Sequence, residues 1–149
     1  MNCLTCDNNA QRFTLPPREH VASDDHWRVA HAFGTATPGW LVLAPLRHVT
    51  AIAELAHAEA ESLGTWQVRL SRALHAVTGC AKTYVAQFAE AEGFAHVHFH
   101  VIPRMPDHPE ELRGPRVFGR LGRPEKDDLT PAHRDDLAVR IRRELTRPR

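Results

Sequence analysis

His96-Val97-His98-Phe99-His100-Val101-Ile102-Pro103-Arg104 is the stretch whose reading decides the fold. Imidazoles and large apolar residues alternate strictly, which predicts a β-strand with one buried and one wet face. Val97, Phe99 and Val101 are expected to enter a core. His96, His98 and His100 then project together from the other side, about 7 Å apart from one to the next. Three histidines in register suggest catalysis, metal binding or anion binding, against a chance cluster on a solvated strand.

Outward from that strand, the chain of 149 residues suits one domain with a real core. Its 42% hydrophobic and 25% charged content are ordinary for a globular protein. A net charge of +1 provides no field suited to nucleic acid or an anionic membrane. No apolar run approaches the roughly 20 residues of a membrane helix, and no signal-peptide core is visible, so a cytoplasmic location is expected. The three cysteines are too few for a disulfide scaffold. Cys80 reads as a buried apolar filler.

Apolar runs at Glu19–Ala22, Trp27–Phe33 and Trp40–Ala44 read as strands, separated by turn signals. Helical spacing runs from about Ile52 to Val77, with Leu63, Trp66, Leu70, Leu74 and Val77 on one face and Gly79 as the stop. Thr83–Phe88 and Ala95–Pro103 predict two more strands, joined as a hairpin by the loop Ala89–Phe94. Met105–Leu129 is rich in proline, glycine and charge, without periodicity. A last helix is expected from a Thr130 cap and Pro131 to about Leu145, with Leu137, Ile141 and Leu145 on its apolar face. The sum is an α+β fold: a single domain with a mostly antiparallel five-stranded sheet, a long helix and a C-terminal helix. Residues 1–104 form the core, and 105–149 extend the same domain.

An imidazole with an ordinary pKa near 6.5 is largely neutral at neutral pH and can act as a nucleophile. A carbonyl accepting from Nδ1 leaves the Nε2 lone pair facing outward, able to attack phosphorus and form a covalent intermediate. A neighbouring ring can hold an anionic substrate. Three such rings could instead ligate one zinc ion, although rings about 7 Å apart do not converge easily on bonds of about 2.1 Å.

His-Val-His-Phe-His-Val-Ile resembles the histidine-triad signature, in which three histidines alternate with apolar residues. Pro38-Gly39-Trp40-Leu41-Val42-Leu43-Ala44-Pro45-Leu46-Arg47-His48-Val49 is similar to the strand that precedes it in that family. The resemblance covers roughly residues 3–104. It implies a nucleotide hydrolase acting at an α-phosphate through a nucleotidyl-histidine intermediate. His98 would be the nucleophile. His100 would hold phosphate oxygens and assist the leaving group, and His96 would support His98, its carbonyl orienting the ring. Gln87 would face the α-phosphate. Three places depart from the pattern. Trp40 replaces a histidine, removing a polar partner of the triad, and Ala32 stands where a ribose-binding Asp or Asn is usual. The 89–94 loop is short and carries Glu92, whose charge would repel phosphate unless turned away.

Cys3-Leu4-Thr5-Cys6 alone could be half of a zinc site, a redox pair or coincidence. Within the resemblance, His48 and His96 complete a Cys2His2 set with Cys3 and Cys6, implying one structural zinc that pins the N-terminus. The expected substrate is a small nucleotide, a dinucleoside polyphosphate or a nucleoside phosphoramidate, with adenine as the expected base. The same intermediate would serve a nucleotidyltransferase or phosphorylase, and a nucleotide-binding module with little turnover is the alternative from another class. Homodimerisation is implied only by analogy.

Overall fold

The alternation of apolar residues in three strands builds the sheet. The structure is a computed structural model that describes residues 2–148. Its elements are α1 (Leu4–Ala10), β1 (Ala22–Ser23), β2 (Trp27–His31), β3 (Leu41–Pro45), α2 (His57–Thr78), β4 (Lys82–Ala86), β5 (Phe99–Arg104) and α3 (Pro131–Leu145). The five strands lie in the order β1-β2-β3-β5-β4, with every neighbouring pair antiparallel. This is the expected α+β architecture.

Val29, Leu41, Leu43, Phe99 and Val101 point to one face, where Trp66, Leu70 and Leu74 of α2 and Ala138 and Ile141 of α3 cover them. Burying these side chains is the main force holding the helices to the sheet, at roughly 1.5–3 kcal/mol per large apolar residue. Gly79 ends α2 in the left-handed conformation at φ 72°, which a glycine adopts without Cβ strain. α3 begins with the Thr130 hydroxyl accepting the His133 N–H and Pro131 in the first turn.

Three local readings need correction, and one element, α1, went unread. Glu19–Ala22 is not a strand: Pro16 and Pro17 bias a 3-10 turn over Pro17–Glu19, and only Ala22–Ser23 pairs with β2. Ile52–Glu54 is a separate 3-10 turn, because Leu55 and Ala56 are extended and Glu59 caps α2 by accepting the Ala56 N–H at 2.6 Å. β5 starts at Phe99, three residues after His96. α1 had no helical period to announce it; the Cys3 sulfur caps it by accepting the Cys6 N–H.

The largest correction concerns the second face of the sheet, which is not wet. A seven-residue 3-10 segment, Gly114–Arg120, folds back across it, and Val117 packs there with Ala32, Trp40 and Ile102. The segment is held down by the Asp128 carboxylate, which accepts the backbone N–H groups of Gly34 and Thr35, and by the Arg123 N–H donated to Gly34. Beneath Phe118 of this segment His100 is 6% exposed, and His96 is 1% exposed among Cys3, Cys6, His48 and Pro45.

Candidate active site and metal centre

Antiparallel register decides which side chains meet on the covered face. Ala30 pairs with Val42, and Val42 with His100; Arg28 pairs with Ala44. Residues directly opposite each other share a face, so Arg28, Ala30, Val42, Ala44 and His100 form a common floor. His98 lies one residue before the Leu43–Phe99 pair and joins them. Over this floor is a cavity of about 560 Å³, walled by α1, by Phe88–Ala91 and Phe94 of the β4–β5 loop, and by Phe118, Leu121 and Arg123 of the extension. That size suits a small-molecule ligand.

Hydrogen bonds fix the two imidazoles in the cavity in complementary states. Nδ1 of His98 lies 2.8 Å from the His96 carbonyl. A carbonyl only accepts, so Nδ1 carries the proton and the Nε2 of a neutral ring keeps its lone pair. His100 is set the other way. The Trp40 indole N–H donates to its Nδ1 at 3.0 Å, so the proton of the neutral ring resides on Nε2. Burial, and secondarily the adjacent His98, push the His100 pKa down to about 4. The two rings meet edge to face with centroids 5.0 Å apart, closer than extended spacing alone implies. Phe118 completes the packing, 5.0 Å from His100 and 5.5 Å from Trp40.

Trp40 therefore does not remove a polar partner from the row; its indole supplies one. Ala32 is buried on the cavity wall and offers no carboxylate. Of the loop acids, Glu90 lines the cavity and Glu92 does not. Gln87 is outside the cavity lining, and its buried Oε1 has no hydrogen-bond partner among the described residues. His31 is a backbone clamp: Nδ1–H donates to the Ala32 carbonyl at 2.7 Å, and Nε2 accepts the Gly39 N–H at 2.9 Å. Gly39 must be glycine, since its φ is 87° and a Cβ would meet Leu74 and Thr78 at 3.0 Å.

His96 leaves the row altogether. Its Nε2–H donates to the Pro45 carbonyl at 2.8 Å, which frees Nδ1 to face two sulfurs: Cys6 Sγ at 3.5 Å and Cys3 Sγ at 3.6 Å. His48 Nδ1 lies 3.3 Å from Cys6 Sγ. The four donor atoms all fall within 4.8 Å of one another. A tetrahedral ion with sulfur at about 2.3 Å and nitrogen at about 2.1 Å separates the two atom types by about 3.6 Å. The donor set and its spacing therefore fit zinc. Burial and the adjacent Cys3 push the Cys6 thiol up to about 11, and a bound cation would reverse that by favouring the thiolate.

Four charged residues in the cavity escaped the sequence reading, Glu19, Arg28, Glu90 and Arg123, and the two cations show why. Arg28 was hidden inside an apolar strand, and Arg123 belongs to the segment without periodicity; neither position carries a local signal of its role.

Comparison with solved structures places the architecture. A Zn-bound histidine triad family protein from Mycobacterium smegmatis superposes with a TM-score of 0.68 over 97% of this chain and 94% of its own, at 17% identity. A hypothetical histidine triad nucleotide-binding protein from Sulfolobus tokodaii gives 0.72 over 96% and 91%, at 14% identity. A histidine triad protein from Bradyrhizobium japonicum gives 0.69 over 85% and 89%, at 23% identity. No protein-family model and no curated protein sequence matches the chain. The fold is that of the histidine-triad proteins. No helix among the described residues is long and apolar enough to cross a membrane.

Proposed function

We propose that this protein is a nucleotide hydrolase that cleaves at an α-phosphate through a nucleotidyl-histidine intermediate. The observation that carries the reading is the opposed setting of two adjacent rings, a lone pair on His98 Nε2 beside a proton on His100 Nε2. His98 Nε2 attacks the α-phosphorus, an N–P bond forms, and the bond to the leaving group breaks with its electron pair departing on that group. His100 Nε2–H donates to a non-bridging oxygen, where charge concentrates in the transition state. Water then attacks the phosphorus and releases the nucleoside monophosphate and free His98.

A neutral imidazole N–H holds an oxyanion but is a poor acid, so His100 is not a proton source for the leaving group. That favours a phosphoanhydride, whose phosphate leaves as a stable anion, over a phosphoramidate, whose amine must be protonated. Dinucleoside polyphosphates are therefore the preferred substrate class, with Arg123 in the cavity lining as a cation for the departing phosphates. Cys3, Cys6, His48 and His96 would hold one structural zinc, which, when bound, ties α1 to the sheet and fixes the segment whose carbonyl orients His98.

Mass spectrometry of protein quenched during turnover of a dinucleoside polyphosphate tests the reading. A nucleotidyl adduct is expected on His98, with loss of the adduct and a rate at least about 10³-fold lower in His98→Asn. Full turnover in that variant, or an adduct on another residue, would refute the assignment.

A further inference from the structure

Arg28 is a buried cation for which the chemistry at His98 has no use. It is 5% exposed, and although no carboxylate lies within ion-pair distance among the described residues, the Glu19 carboxyl on the same cavity wall favours its charged form. Its Nε donates to Asn9 Oδ1 at 2.7 Å and Nη1 to the Glu19 carbonyl. Nη2 donates to no protein group among the described residues, and the residue lines the same cavity as His98. Its remaining N–H groups open onto the cavity, where a bound ligand can supply acceptors.

Its place in the sheet says which part of a nucleotide would meet it. Arg28 pairs with Ala44 on the next strand, and the strand after that leads to His98. Two inter-strand spacings put Arg28 about 10 Å from the nucleophile across the floor. A ribose and base beyond the reacting phosphorus have comparable reach. Between the two ends the floor is Ala30, Val42 and Ala44, whose small side chains leave a slot for a flat ring.

We propose that Arg28 reads the base of the bound nucleotide and selects a 6-oxopurine, guanine or hypoxanthine, over adenine. The proposal deepens the nucleotidyl-histidine reading of this cavity and rests on it. With Nε and one Nη1 N–H spent, the end of the guanidinium fork still has one N–H on Nη1 and those of Nη2, enough to meet the two adjacent acceptors O6 and N7 of a 6-oxopurine. Adenine presents N7 beside an amino group at the same edge, setting donor against donor. Uracil has no N7 and satisfies only one arm of the fork. The adenine expected from the family resemblance thus meets Arg28 with a donor where a 6-oxopurine offers an acceptor.

Titration calorimetry with GMP, IMP, AMP and UMP, which are not turned over, provides the test. GMP and IMP are expected to bind about tenfold or more tighter than AMP and UMP. Arg28→Gln should bring the ratio of GMP to AMP affinity near one, and Arg28→Lys should reduce it, since a point charge lacks the fork. The ratio is the readout because general loosening of the fold weakens all four nucleotides alike; if Arg28→Gln does not fold, Arg28→Lys carries the comparison. A wild-type preference below tenfold, AMP or UMP binding as well as GMP, or a preference kept by the folded variants overturns the proposal. Equal binding of all four with an intact His98 adduct removes only the base assignment. Failure of every nucleotide to bind removes the nucleotidyl-histidine reading with it.

Discussion

His96 and His100 stand two residues either side of the same imidazole, both are buried, and they face opposite chemistry. His96 spends Nε2–H on the Pro45 carbonyl and turns Nδ1 toward two sulfurs and, through them, His48. His100 receives the Trp40 N–H on Nδ1 and turns Nε2 into the cavity. On the proposed reading one flank is fixed by a metal and the other holds a ligand that comes and goes. What separates them is the one hydrogen bond each ring makes to its surroundings, since that bond decides which nitrogen is free.

The fixed flank should fail first when broken. Cys3→Ser removes one sulfur donor, and the remaining three groups lose the Cys2His2 set. One zinc per chain is expected in the wild type and none in the variant, read by elemental mass spectrometry. Metal binding contributes directly to folding stability, so chemical denaturation should show a loss of about 4 kcal/mol or more. A metal-free wild type, or a variant of unchanged stability, would erase the contrast between the flanks.

The cavity flank should respond to acid. His100 is held at about 4 when folded, against about 6.5 unfolded, so the folded state binds fewer protons in that window. Its contribution is intact above pH 6.5 and is lost as pH falls toward 4. Between pH 7.5 and 5 this one ring should cost about 2 kcal/mol of stability. Protonation of metal ligands acts in the same direction, so the measurement is a difference: the wild type should lose about 2 kcal/mol more than His100→Gln over that interval. Equal losses in the two proteins would mean that His100 is not held neutral by its burial.

Legibility in the sequence followed the same divide between local and distant causes. The Thr130 cap, Pro131 and the period of Leu137 and Ile141 are local signals, and α3 runs from Pro131 to Leu145. The face of α2 that bears Trp66, Leu70 and Leu74 was equally plain, as was the apolar half of the triad strand. Alternation, however, says only that the histidines share a face; it does not say what lies over it. The cover is Gly114–Arg120, a stretch of proline, glycine and arginine, and the chain that follows it is tied through Asp128 to the turn at Gly34 and Thr35, more than 90 residues away in sequence. Arg28 was invisible for a related reason: one charge in a strand reads as its solvent side until the opposite face is known to be covered. Trp40 reads as a loss when set against the histidine of the family pattern, whereas its indole N–H is itself a donor to His100.

Trp40 is also where the smallest effect should separate position from packing. Trp40→Phe retains an aromatic ring beside Phe118 but deletes the donor to His100 Nδ1. His100 is then free to place its proton on either nitrogen, and only one choice points an N–H at the substrate. Losing a buried hydrogen bond of this kind costs on the order of 1–3 kcal/mol. Part of that falls on stability, because the indole is fully buried and the smaller ring leaves a void. The remainder should lower kcat/KM of the folded protein by about tenfold. Stopped-time assays below the melting temperature, alongside the melting temperature itself, distinguish the two parts. A variant that melts earlier yet turns over at the wild-type rate would make Trp40 a packing residue only, and would leave the orientation of His100 to Phe118 and the strand.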